Sequence, residues 1–314
     1  KEMKVFFGYI RDYLREDFQW APHIIIAIFL GVSLPINYYY DFYGWMVTDH
    51  YRQFSSVLLL FVFYASAFLL TTTVISLFTR EGQKKPIQNK KFIIYGLIGI
   101  FFMSLDCSYY LMKFAGFLQD YYPLIYPWLH QCLSNLSSLV TVIIPLYIMY
   151  FLVKDFKPEF YGLKLNGAKV IPYFWLILFM IPLIYLASFQ PDFLEAYPAY
   201  DNYGEHRHLG VDEWVTAGAF ELCYGFDFLS VELFYRGFMV IALSRFVGKD
   251  AILPMVAVYC FLHFGKPAGE AISSIFGGYI LGILAYRSRN IFGGLIAHLG
   301  VAWGMELMAW LQGG

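Results

Sequence analysis

Charge is scarce in this sequence. Only 14% of its 314 residues are Asp, Glu, Lys or Arg, while 59% are hydrophobic; a soluble domain usually carries about 25% charged residues. The mean hydropathy of +0.56 agrees. An ordinary soluble domain is excluded, and a polytopic membrane protein is indicated. The net charge is −1, so no nucleic-acid partner is expected. Cysteine is rare too. Cys107, Cys132, Cys223 and Cys260 lie in apolar segments at unrelated spacings. They form no metal motif and no evident disulfide pair, and read as small core residues. Residues 1–20 lack the short apolar core and cleavage site of a signal peptide. Their sequence, KEMKVFFGYIRDYLREDFQW, mixes charge with aromatics and reads as an amphipathic helix on the membrane surface. No internal repeat or low-complexity tract stands out.

What is present is a series of apolar segments. A membrane-spanning helix needs about 20 mostly apolar residues. Candidates run over 22–44, 54–79, 92–117, 124–153, 170–190, 213–244, 252–264, 271–286 and 291–311. The 252–264 and 271–286 segments are short, so each must be tilted, re-entrant or packed within protein. Basic residues cluster in alternate loops: Arg80, Lys84, Lys85, Lys90 and Lys91; Lys154, Lys157, Lys164 and Lys169; Arg245 and Lys249; Arg287 and Arg289. The loop 191–212 is acidic instead, with Asp192, Glu195, Asp201, Glu205 and Asp212 against Arg207. This alternation predicts a cytoplasmic N-terminus and nine crossings, or eight if one short segment is re-entrant.

Ionisable residues are unevenly spread over these segments. The first five hold little beyond Asp106 and His130, whereas the last four hold Glu221, Asp227, Glu232, Arg236, His263, His298 and Glu306. Intramembrane charge is costly, so each such residue implies a buried partner, a wet cavity or a function. Glu232 and Arg236 stand four apart, about 40° around a helix, and can pair along one face. At about 1.5 Å per residue, Glu232 lies about 20 Å inward from Arg245, His263 about 20 Å from Asp250, and His298 about 14 Å from Arg289. The three segments therefore place a carboxylate and two imidazoles in one layer near mid-membrane, which points to a shared polar cavity. A carboxylate there can serve as general base on a water, and an imidazole can hold that water or stabilise an oxyanion. Two His and a Glu suit zinc as well, but no HExxH is present. No GxSxG turn or cysteine signature supports a serine or cysteine nucleophile. Proton-coupled transport uses the same residue types.

These residues resemble the motifs of the CAAX protease and bacteriocin-processing family of intramembrane proteases, which includes prenyl-protein endopeptidases. The family's motifs are EExxxR, FxxxH and HxxxN or HxxxD. The matching stretches are VELFYR (231–236), YCFLH (259–263) and HLGVA (298–302). Their order, separation and membrane setting agree, and the resemblance covers about residues 165–311. It implies an all-α fold: a polytopic transmembrane helical bundle of eight to nine spans with a CAAX-protease-like C-terminal core. The chain then divides into the amphipathic segment 1–20, N-terminal transmembrane helices over 21–164 and the family-like core over 165–314.

Carried over residue by residue, the resemblance assigns Glu232, Arg236, His263 and His298 as the catalytic set. It also shows two departures. Arg236 fixes the register, so Glu232 matches the second glutamate, and the first, the family's base, is Val231. Ala302 replaces the polar residue that helps the third-motif histidine bind the oxyanion, and Tyr259 replaces a phenylalanine. Asp227, one turn before Val231, is a candidate to take over the lost carboxylate's position. Glu270, with Lys266 in the polar turn FGKPAGE (264–270), is expected at the cavity's outer edge, and Glu306 adds charge near it. Gly277, Gly278 and Gly282 are expected to let the following helix pack closely.

Three functions fit. One is an intramembrane endopeptidase acting on a peptide or a lipidated protein. Another is a catalytically inactive relative serving as a membrane-embedded scaffold for a peptide, lipid or membrane-protein partner. The third is a transporter, against which the absence of repeat symmetry speaks. No metal is assigned and the cofactor is left unknown. The expected location is integral to a membrane, read as the bacterial inner membrane.

Overall fold

The computed structural model describes residues 2–164 and 170–313, and every regular element among them is a helix. Lys169 and residue 165, where the C-terminal unit is expected to begin, lie outside the described residues. The long helices are α1 (Glu2–Glu16), α2 (Trp20–Tyr40), α3 (Phe54–Leu77), α4 (Lys90–Cys107), α5 (Tyr126–Leu152), α6 (Ile171–Ala187), α7 (Glu213–Glu232), α8 (Ile252–Leu262), α9 (Ala268–Ser288) and α10 (Phe292–Leu311). The expected all-α membrane bundle is borne out.

Five of these helices, α2, α3, α5, α9 and α10, are each long and apolar enough to cross a membrane, and α4 with the bent continuation Tyr110–Tyr121 makes six. A count of eight to nine spans does not follow from helix length and composition. α6 is apolar but only 17 residues long. α7 carries Glu213, Glu221, Asp227 and Glu232. α8 has 11 residues, ten of them buried. A helix apolar on all sides and this short belongs inside protein rather than across lipid, and α8 is indeed surrounded by α2, α3, α9 and the continuation of α7. The 271–286 segment, by contrast, is part of the 21-residue α9 and is not short.

The outer surfaces are apolar. Val62, Phe179 and Trp310 are each about two-thirds exposed, and surfaces so rich in exposed apolar side chains mark contact with lipid. The amphipathic α1 buries Phe6 and Tyr13 against the bundle and packs on α9 and α6. Its end is fastened where Arg287 meets Asp17 at 2.7 Å and Glu16 at 3.0 Å.

One local feature positions the site. After Glu232 the α7 ladder widens into a π-helix over Leu233–Ala242, all ten residues buried. At its end the Leu243 N–H donates to Phe238 O, five residues back, at 3.1 Å. π-helices are rare and recur at functional sites. Small residues then allow α8, α9 and α10 to close around it. A Cβ at Gly278 would lie 2.9 Å from Tyr259, one at Gly282 would lie 2.6 Å from Met255, and one at Gly294 would lie 2.5 Å from Glu232 Oε2. Gly277 has open space, so of the three glycines expected to permit close packing only Gly278 and Gly282 do so.

Candidate active site

Four elements meet at one tyrosine. Glu232 ends α7, Arg236 lies in the π segment, Tyr259 and His263 come from α8 and the turn after it, and His298 lies in α10. Arg236 Nη1 stands 2.9 Å from Glu232 Oε1, with both side chains essentially inaccessible. The guanidinium makes no aligned hydrogen bond among the described residues, and its carbon lies 4.3 Å from the centre of the Tyr259 ring, a buried cation–π contact. The same Glu232 oxygen lies 3.1 Å from His298 Nδ1. A carboxylate can only accept, so Nδ1 carries the proton. In the neutral ring Nε2 then accepts from the Tyr259 hydroxyl at 3.2 Å. Phe228 packs on this imidazole edge-to-face, with centroids 4.6 Å apart. Both nitrogens of His298 are therefore occupied within the protein.

His263 is held differently. Its Nδ1 lies 2.8 Å from Tyr259 O, and a carbonyl can only accept, so Nδ1 donates and Nε2 presents a lone pair. The nearest carboxylate to Nε2 is Glu270 Oε1, 4.0 Å away. The other Glu270 oxygen accepts from the Tyr197 hydroxyl at 2.8 Å, which fixes the carboxylate's orientation. Side-chain exposure separates back from front. Glu232 and Arg236 are at 0–1%, while His263, His298 and Glu270 are at 11%, 14% and 18%. The Glu232–Arg236 pair forms the rear wall, and the His263–Glu270 edge is the accessible side.

Three other acidic residues singled out in the sequence, Asp227, Asp106 and Glu306, have partners of their own, whereas one buried oxygen of Glu221 has no hydrogen-bond partner among the described residues. Asp227 accepts from Ser230 Oγ at 3.1 Å and faces Ser138 and Asp106. Asp106 in turn accepts from Thr141 at 2.6 Å and Ser137 at 3.2 Å. Glu306 accepts from the Ala199 N–H with both oxygens, at 2.9 and 3.1 Å, and so secures the loop 197–204. Val231 packs against the main core, and Ala302 is buried. Among the described residues no group of three or more His, Cys, Asp or Glu side chains is arranged to hold a metal ion.

Tyr259 is the residue that sequence reasoning underrates. It looks like a mild replacement of phenylalanine, yet its ring, hydroxyl and carbonyl contact Arg236, His298 and His263. The available signal is a phenol four residues before a motif histidine, a spacing that puts the two side chains on one helix face.

A model of the family described as type II CAAX prenyl endopeptidase Rce1-like matches residues 212–304. That segment holds all three motif stretches, so the resemblance read from them is borne out over it. No curated protein and no solved structure matches the chain.

Proposed function

We propose, taking residues 212–304 as an Rce1-like segment of the CAAX protease family, that this integral membrane protein is an endopeptidase for peptide or lipidated-protein substrates and that His263 with Glu270 activates its water. The observation that carries this reading is the 4.0 Å gap between His263 Nε2 and Glu270 Oε1. One water spans such a gap with two hydrogen bonds of about 2.8 Å. It donates one proton toward the Nε2 lone pair and the other toward the carboxylate, leaving its own lone pairs for a carbonyl carbon. In the reaction the water oxygen bonds to that carbon, its proton passes to Nε2, and the same proton then goes to the amide nitrogen as the C–N bond breaks. Glu232 and Arg236 hold the rear of the site. His298, anchored at both nitrogens, orients Tyr259, whose carbonyl orients His263. The N-terminus is on the cytoplasmic side, following the basic loops.

A second reading, a membrane scaffold that binds such substrates without cleaving them, is favoured by Val231 at the position of the family's first glutamate. The two are separated by assaying cleavage of a prenylated peptide in detergent or vesicles. The endopeptidase reading expects native cleavage that falls about 10²- to 10⁴-fold in Glu270→Gln and in His263→Ala, each variant first shown to be folded. Cleavage only after Val231→Glu with Ala302→Asn, and none in the native chain, selects the scaffold.

A further inference from the structure

Away from this site, three loops converge on one open groove of about 650 Å³. The turn before α4 supplies Lys84, the first residues of α4 are Lys90 and Lys91, the segment after α5 supplies Lys154 and Lys157, and the end of the π segment leads to Arg245. Six cations line the groove, with Asp155 as the one carboxylate among its walls. Two of them are neutralised locally: Lys91 meets Asp155 at 2.6 Å, and Arg245 meets Glu159 at 3.2 Å. Lys84, Lys90, Lys154 and Lys157 have no ion-pair partner among the described residues. The walls are fixed. Asn89 Nδ2 donates to Phe246 O at 2.9 Å, Arg245 donates to Lys157 O at 3.0 Å, and Phe156 between Asp155 and Lys157 is fully buried.

Membrane topology calls for an excess of lysine and arginine in loops on one side. It does not call for three such loops to share one groove, where like charges repel. Clustered cations are favourable when an anion sits among them. The 18-residue α4 also begins in this groove, with Lys90 and Lys91 as its first residues. Its unpaired N–H groups and positive dipole end add to the same preference. The groove lies beyond the ends of the apolar helices α3 and α5 and at the start of α4.

We infer that this groove is a binding site for a phosphate-bearing anion held by Lys84, Lys90, Lys154 and Lys157. The same chemistry belongs to the headgroup of an acidic phospholipid and to a soluble phosphate ester.

The full chain, purified in a neutral detergent, is titrated with dioctanoyl phosphatidylglycerol, dioctanoyl phosphatidylcholine and glycerol phosphate, and binding is followed by the rise in unfolding temperature and by native mass spectrometry. The phosphatidylglycerol is expected to bind, to weaken as salt rises, and to lose about fivefold in affinity for each lysine replaced in Lys154→Gln and Lys157→Gln. Arg11→Gln on the remote α1 should leave binding unchanged. Equal binding of glycerol phosphate assigns the soluble source, and binding of phosphatidylglycerol alone assigns the lipid. Equal binding of phosphatidylcholine, salt-independent binding, or unchanged affinity in the glutamine variants overturns the inference. Should a glutamine variant fail to fold, Lys154→Arg with Lys157→Arg tests the same point: the charge is kept, so loss of binding there also overturns it.

Discussion

His298 Nδ1 and Arg236 Nη1 share a single oxygen, Glu232 Oε1, at 3.1 and 2.9 Å, while Glu232 Oε2 has no hydrogen-bond partner. One carboxylate thus locks a cation on its own helix and an imidazole on a neighbouring one. It thereby joins α7 to α10 at a point where its own side chain is fully buried.

Breaking that lock should be severe. Arg236→Ala leaves Glu232 buried and without its cation, and removal of one partner of a buried pair destabilises by about 3–5 kcal/mol. Folded yield from membranes and the melting temperature in detergent should both drop. A variant with native yield and melting behaviour would show that the pair is dispensable.

Tyr259→Phe should separate the two histidines. It removes the hydroxyl that meets His298 Nε2 but keeps the carbonyl that holds His263 Nδ1. A fully buried nitrogen left without a partner costs about 1–3 kcal/mol, and His298 is partly exposed, so unfolding stability should fall by no more than that. On the endopeptidase reading, peptide cleavage by the folded fraction should persist, because His263 keeps its anchor. Loss of cleavage at full folding would place His298, rather than His263, at the reacting carbonyl.

Two glycine-to-alanine changes should have opposite signs. In Gly294→Ala the new methyl lies 2.5 Å from Glu232 Oε2, so the rear wall must shift, and overpacking of this kind costs about 1–3 kcal/mol. In Gly277→Ala the methyl enters open space, and the gain in helix propensity is up to about 1 kcal/mol. Chemical or thermal unfolding of both variants gives the comparison, and a stabilised Gly294→Ala would refute the close approach.

Acid should weaken the end of the bundle at Glu159. Burial raises this carboxyl's pKa, but Arg289, then Arg245 and Lys164, outweigh it and hold the value below the ordinary carboxylate range. Arg289 meets Glu159 at 2.7 Å and also donates to Ser244 Oγ and Ile241 O, which joins the start of α10 to the π segment. Because the folded value lies below the unfolded one, about 4.3, the ionised group's stabilisation is fully present above that pH. It is lost as pH falls through the folded value. Glu159→Gln should therefore melt earlier than the native protein near neutrality, with the gap narrowing in acid. A gap that is constant from pH 7 to 3 would exclude this linkage.

Much of the bundle follows from the sequence alone. Long apolar runs define α2, α3, α5, α9 and α10 because a helix in lipid must satisfy its backbone internally. The order of Glu232, Arg236, His263 and His298 along three segments is enough to place the candidate site, because in-helix spacing fixes depth. Tertiary structure decides the rest. Hydropathy cannot distinguish an apolar helix in lipid from one inside protein, so the sequence leaves the short 252–264 segment tilted, re-entrant or packed within protein, and only the fold shows α8 to be buried. The π-helix after Glu232 has no periodic signature in the chain. Which groups Tyr259, Glu270 and Asp227 engage depends on Arg236, His298, His263 and Asp106, residues that only helix packing brings within hydrogen-bond or charge range. Pattern fixes which groups are forced into the apolar layer, and packing across helices fixes which of them meet.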